Sequence, residues 1–254
     1  ANAAGLPTTP AREKLFTCYP QTTDQDLACA RQILGNLAQR AYRRPVTEED
    51  MAPLLQFFNQ GREAAGFEEG MRRGLTRLLA SPNFLYRAEI APEGTAPGEV
   101  YQLSSLDLAS RLSFFLWSSI PDEELLQLAI DDKLQDRAVV EQQISRMLAD
   151  PKAVALSENF AYQWLKLSKL DEIIPDPTIF PYAALAGDLR PDFKEELNLL
   201  IDSIFRSDES VMRLLDARHT FVNERLALHY GINNVRGAEF RREEMHRGDT
   251  RQRA

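Results

Sequence analysis

Acidic pairs are the first residues in this chain that can do chemistry. Four clusters occur, Glu48–Glu49–Asp50, Glu68–Glu69, Asp122–Glu123–Glu124 and Glu195–Glu196, and paired carboxylates are what a glycoside hydrolase or a di-iron centre requires. All four fall in the first turn of a predicted helix, where negative charge complements the helix dipole. Di-iron bundles also need a Glu-x-x-His from each of two helices, and the sequence has that spacing only once, at Glu243–His246. The histidines, His219, His229 and His246, form neither H-x-x-x-H nor H-E-x-x-H, so the sequence predicts no self-contained metal site. His229 ends the helix expected over Asn223–Tyr230, where a cation or ring N–H meets unsatisfied carbonyls. Nucleophile elbow, P-loop and G-x-G-x-x-G are all missing, which removes the commoner hydrolase and nucleotide-binding chemistries.

Two cysteines, Cys18 and Cys29, lie outside any C-x-x-C or C-x-x-C-H pattern. Two readings stay open: a disulfide tying the leading loop to the first long helix, which needs an oxidising compartment, or two independent buried thiols. Phe114-Phe115-Leu116-Trp117 makes its helix apolar nearly all round and predicts a central position in the core. Phe160, Trp164 and Leu167 continue a stripe from Leu156 that reads first as core packing. Arg111, if buried, needs a carboxylate partner.

The elements that must position these residues are helices. Phe67, Met71, Leu75, Leu78 and Leu79 fall on one stripe; so do Leu27, Ile33, Leu34, Leu37 and Ala41; so do Val140, Ile144, Met147 and Leu148. A fourth stripe joins Phe193, Leu197, Leu200, Ile201, Ile204 and Phe205, with Glu195, Glu196 and Asp202 off it. Only Val100–Leu103 has the pattern of a short strand. Thr47 before Asp50 and Ser104 before Asp107 resemble capping boxes, and Gly231 stands where a C-terminal cap belongs. The expected fold is all-α: an orthogonal multi-helix bundle with a small N-terminal helical domain over residues 1–90 and a larger one over 99–235. APEGTAPG at 91–98 is the linker between them, and 236–254 is a charged tail, disordered or continuing into further domains. Asp171–Leu189, rich in proline, is expected to cross the surface or bind a partner.

With 254 residues, 44% apolar and 27% charged, the chain can bury a sizeable core without metals. A net charge of −8 argues against binding nucleic acid through its phosphates. The strongly apolar run Leu112–Trp117 is far too short for a membrane span. Ala1–Pro10 lacks a signal-peptide pattern and reads as a mature or cut end.

Four phrases together resemble a known family: CARQILGNLAQRAYRRPVTEED (Cys29–Asp50), LSSLDLASRLSFFLWSSIPDEELL (Leu103–Leu126), ENFAYQWLKLSKLD (Glu158–Asp171) and TFVNERLALHYGINNVRGAEFRR (Thr220–Arg242). Their order is similar to that of the planctomycete-type, cytochrome-c-associated domains of unknown function, DUF1595 followed by DUF1592. The resemblance implies an exported protein, periplasmic or secreted, and favours the Cys18–Cys29 disulfide. It also implies a haem c held by a later domain or another polypeptide, so this chain is expected to be a fragment or one chain of a cleaved protein. Under that implication His229 is the candidate axial ligand, Arg111 the candidate partner of a propionate, and Tyr230 and Trp164 candidate lining residues. No catalytic residue transfers from the family. The alternatives are a non-redox interaction module at the cell surface and an extracellular polysaccharide hydrolase using one acidic pair.

Overall fold

A computed structural model describes residues 9–174, 176, 178–179 and 187–245. His246 and much of the proline-rich 171–189 stretch lie outside the described residues. The protein is mainly helical, and it divides into two compact units, residues 1–114 with 119–143 and residues 115–118 with 144–254. The irregular 91–98 stretch lies inside the first of these.

In the first unit α1 (Pro10–Leu15) begins on Thr9, whose side chain accepts from the Arg12 N–H. Then come α2 (Asp26–Tyr42), α3 (Glu48–Ala65), α4 (Phe67–Leu79) and α5 (Pro82–Leu85). A disulfide joins Cys18 to Cys29 and ties the leading segment to the first turn of α2. Ile33 and Leu34 of α2, Leu54 and Phe58 of α3 and Met71 of α4 are fully buried against one another. Glycines let α3 and α4 approach closely: a Cβ on Gly61 would lie 2.6 Å from the Glu69 carbonyl oxygen, and one on Gly70 2.8 Å from the Phe58 ring. Leu27 and Leu79, expected on the buried stripes, are instead exposed at the edges of their helices.

The capping box before α3 forms as expected: Thr47 Oγ1 accepts from the Asp50 N–H, and Asp50 accepts from the Thr47 N–H. Asp50 also takes a bidentate pair from Arg44 at 2.6 and 2.9 Å, which holds its carboxyl down at about 2. Half of the second expected box forms. Ser104 Oγ accepts from the Asp107 N–H at the start of α6 (Ser105–Trp117). Helices α7 (Glu123–Ile130) and α8 (Arg137–Ala149) follow.

The aromatic end of α6 is only partly the core segment expected. Leu116 and Trp117 are buried, whereas Phe115 is 52% exposed. Trp117 sits in the second unit, where its Nε1 donates to the Met147 carbonyl and the Lys152 ammonium lies 4.4 Å from its ring centroid. A π-helix follows at Leu156–Ala161, leading into α9 (Tyr162–Trp164). Its wider turn rotates the expected Leu156 stripe out of register. Leu156 is buried, but Phe160 and Trp164 are 41% and 59% exposed, stacked on each other with centroids 6.1 Å apart.

Beyond α10 (Arg190–Arg206) and α11 (Arg213–Asp216) comes an element the periodicity missed. Strand β1 (His219–Val222) pairs antiparallel with β2 (Arg241–Glu244), His219 opposite Glu244 and Val222 opposite Arg241. Helix α12 (Glu224–Tyr230) lies between them in sequence, starts on Asn223 and ends on Gly231 in the left-handed region, φ +76°. Val100–Leu103 forms no strand, and part of the expected charged tail is β2.

Candidate functional site

The chemically richest place in the second unit is built on α10, β1 and α12. Asp192, in the first turn of α10, is buried and accepts from Asn223 Nδ2 at 2.7 Å, while the Arg225 guanidinium lies 2.9 Å from its other oxygen. Asn223 in turn accepts from the Leu226 N–H and so starts α12. This anchor fixes α12 against α10. One turn further along α10, Glu196 then faces β1 and the end of α12.

Thr220 Oγ1 donates to one Glu196 oxygen, and the Tyr230 hydroxyl donates to the other at 2.6 Å. Burial pushes the Glu196 carboxyl above the ordinary glutamate range, even though both hydroxyls and the His229 charge pull it down. Burial, together with the hydrogen bond to Glu196, pushes the Tyr230 phenol up as well. Glu196, His219, Thr220 and Tyr230 open onto a recess of about 360 Å³ whose other walls include Leu200 and Met245. His219 is buried, with Nε2 3.4 Å from Ser203 Oγ.

Such an arrangement offers one carboxylate, poised above its usual range, with a hydroxyl on each oxygen. It can accept or hold a proton at Glu196. Hydrolysis of a glycosidic bond by two carboxylates needs a second one roughly 5–9.5 Å away, and the recess lining supplies only Glu196. The other acidic clusters have structural places. Glu48–Asp50 and Glu68–Glu69 lie in the first turns of α3 and α4, and Asp122 caps α7. Glu195–Glu196 does not. The expected first-turn position is corrected here, because Pro191 and Asp192 occupy that turn and Glu196 lies on the buried side of the second.

Of the four residues considered for a haem partner, three belong to the second unit and one to the first. His229 and Tyr230 are adjacent, with ring centroids 5.4 Å apart. His229 is exposed, its ring edge-on to Phe193, whereas Tyr230 turns inward to Glu196. Trp164 is in the same unit but does not line the recess. Arg111 belongs to the first unit and, exposed rather than buried, is paired with Glu89. Among the described residues no group of three or more His, Cys, Asp or Glu can hold a metal ion. No helix among them is long and apolar enough to cross a membrane.

Glu196, Thr220 and His219 were not singled out by sequence reasoning as a site. The available signal was positional: Glu196 falls three after Phe193 and four before Leu200, inside the apolar stripe rather than off it.

Fold and recess together define a mainly helical, disulfide-tied protein with a buried carboxylate–phenol pair. Residues 103–232 match the family described as a protein of unknown function, DUF1592, and residues 29–89 match a second so described, DUF1595. The first match spans half of the chain, and the chain belongs to the DUF1592 family. No curated protein and no solved structure matches it.

Proposed function

We propose that the chain is a helical, extracytoplasmic module of a cytochrome-c-associated redox protein, scaffolding a haem domain supplied by another part of the protein or by another polypeptide. The observation that supports this best is the state of His229. It stands exposed in the last turn of α12 with aromatic edges for neighbours and no hydrogen bond to its ring among the described residues. An axial ligand must offer a ring nitrogen not already engaged. The buried His219 meets that requirement less well, since its Nε2 faces Ser203. The Cys18–Cys29 disulfide supports a periplasmic or secreted location, because such bonds persist in oxidising compartments.

In this reading His229 would hold the haem iron, and Trp164, exposed in the same unit, would supply aromatic surface. The test is the visible spectrum of the assembly isolated from its native source, beside a denaturing gel. A Soret band accompanied by a haem-bearing polypeptide, with the band position altered in His229→Ala, is expected. An unchanged haem spectrum in His229→Ala removes the ligand role, and absence of haem removes the redox reading.

One observation favours a second reading, a non-redox interaction module. Phe115, Phe160 and Trp164 form an exposed aromatic chain, with Phe115 edge-on to Phe160 at 5.4 Å and Phe160 stacked on Trp164. Exposed aromatics of this kind are enriched at protein interfaces. Isolation of a stable complex with a haem-free partner, lost in Trp164→Ala, would decide for it.

A further inference from the structure

The first unit has a recess of its own, of about 490 Å³, and its chemistry is the reverse of that around Glu196. Four arginines line it, Arg43, Arg44, Arg87 and Arg111, against two carboxylates, Glu89 and Asp107. In a chain of net charge −8 this is a local excess of positive charge.

Two of the arginines are already matched. Arg44 holds Asp50 through two bonds, and Arg111 holds both oxygens of Glu89. Asp107 accepts from Ser104 Oγ at 2.7 Å in the cap of α6. The other two arginines have no carboxylate bonded to them among the described residues. Arg43 is buried and donates to the carbonyls of Ala41, Asn83 and Tyr86 at 2.9, 2.9 and 3.0 Å. Those bonds satisfy its N–H groups but leave its charge uncompensated. Arg87 is exposed and lies flat against Phe114, 4.2 Å from the ring centroid, with Arg43 at 5.9 Å from the same ring. Burial first, and then the Arg87 charge, pushes the Arg43 guanidinium below its ordinary value. Glu89 feels the Arg87 charge, but its own oxygens are taken by Arg111.

From these observations we propose that the recess is a binding site for a small oxyanion, a carboxylate or phosphate group. Arg87 is its exposed cation and Arg43 its buried one. Guanidinium groups suit both anions because their N–H pairs match two oxygens at once. The site lies in the first unit and does not depend on the role of His229.

The test is isothermal titration of the full chain with sodium phosphate and, separately, sodium acetate, with sodium chloride holding ionic strength constant. Saturable binding of at least one of them is expected, about tenfold weaker in Arg87→Gln, as loss of one charge-assisted hydrogen bond implies. Arg137→Gln, which removes an exposed arginine paired with Glu141 on α8, is expected to change nothing. Saturation by phosphate alone assigns a tetrahedral dianion; saturation by acetate as well assigns a carboxylate. No saturable heat with either salt overturns the proposal. So does equal affinity in wild type and Arg87→Gln while both fold by circular dichroism.

Discussion

Arg43 in the first unit and Glu196 in the second are both ionisable groups whose charge burial penalises, and the two are handled in opposite ways. Arg43 keeps its charge, because an arginine cannot give up its proton within the working range of a protein, and the chain turns three carbonyl oxygens onto it. Glu196 has a second option. Its carboxyl moves toward the neutral form, and two hydroxyls point at it rather than a cation. A buried base that must stay charged demands backbone rearrangement: Arg43 itself sits in the left-handed region at φ +58°, ending α2. A buried acid that can become neutral needs only donors from side chains on neighbouring elements. The first solution stiffens a helix terminus, and the second leaves a group that responds to pH.

The sharpest way to break this comparison is at Arg43. Arg43→Ala removes the donors to three carbonyls and leaves the acceptors buried, so chemical denaturation should show a loss of about 3–5 kcal/mol. Arg43→Lys keeps the charge but not the planar fork, and should recover only part of that. Full recovery with lysine would mean that the charge alone, not the carbonyl fork, is what the fold requires.

Next in size is the disulfide that holds the leading segment on α2. Replacing both Cys18 and Cys29 by Ser should cost about 3 kcal/mol by freeing a short loop in the unfolded chain. The measurement is the midpoint of urea unfolding with and without reductant. The wild type under reductant and the double variant should coincide, and a gap between them would show that serine itself disturbs the site.

Much of the first unit was readable in the sequence, and for physical reasons. The capping box at Thr47 and Asp50 is local, spanning one turn, and the α2 and α4 faces follow a 3.6-residue repeat with Ile33, Leu34 and Met71 where the stripes put them. What was not readable depends on contacts between distant segments. Strand β2 consists of Arg241-Arg242-Glu243-Glu244, with no apolar alternation, and owes its conformation to pairing with β1 some twenty residues earlier. The exposure of Phe160 and Trp164 follows from a π turn, whose register no 3.6-residue count anticipates. Glu196 was set aside as an acidic residue near a helix start because its hydroxyl partners, Thr220 and Tyr230, come from two other elements. Sequence periodicity can show that a carboxylate lies among apolar residues; it cannot show which donors meet it.

Those donors can be removed one at a time. Tyr230→Phe deletes the hydroxyl on one Glu196 oxygen and should cost about 1–2 kcal/mol near neutral pH. It should also push the Glu196 carboxyl further up, since the Tyr230 bond is one of the forces holding it down. Carbon-13 NMR of the glutamate carboxyls would follow that titration. If Tyr230→Phe left it unmoved, the hydroxyl would be a neighbour of Glu196 and not its donor. Asp50→Asn, in the first unit, should cost about 1 kcal/mol by weakening the cap and the Arg44 pair.

The smallest expected change is the most informative. Glu196→Gln keeps the shape of the side chain and should alter stability by under about 1 kcal/mol at neutral pH. Its effect is on the pH dependence. Glu196 binds its proton more tightly in the folded state than in the unfolded chain, so it favours folding fully below the ordinary glutamate range. That contribution is lost as pH rises through the higher, folded value. Wild type should therefore lose ground to Glu196→Gln as pH is raised from acid to neutral. Asp50 runs the other way. Held down at about 2, it stabilises the fold above the ordinary aspartate range and loses that as pH falls toward 2. Melting temperatures of wild type, Glu196→Gln and Asp50→Asn across the same buffers should give difference curves of opposite slope. Parallel curves would mean that Glu196 stays charged on its two hydroxyls, as Asp50 does on Arg44.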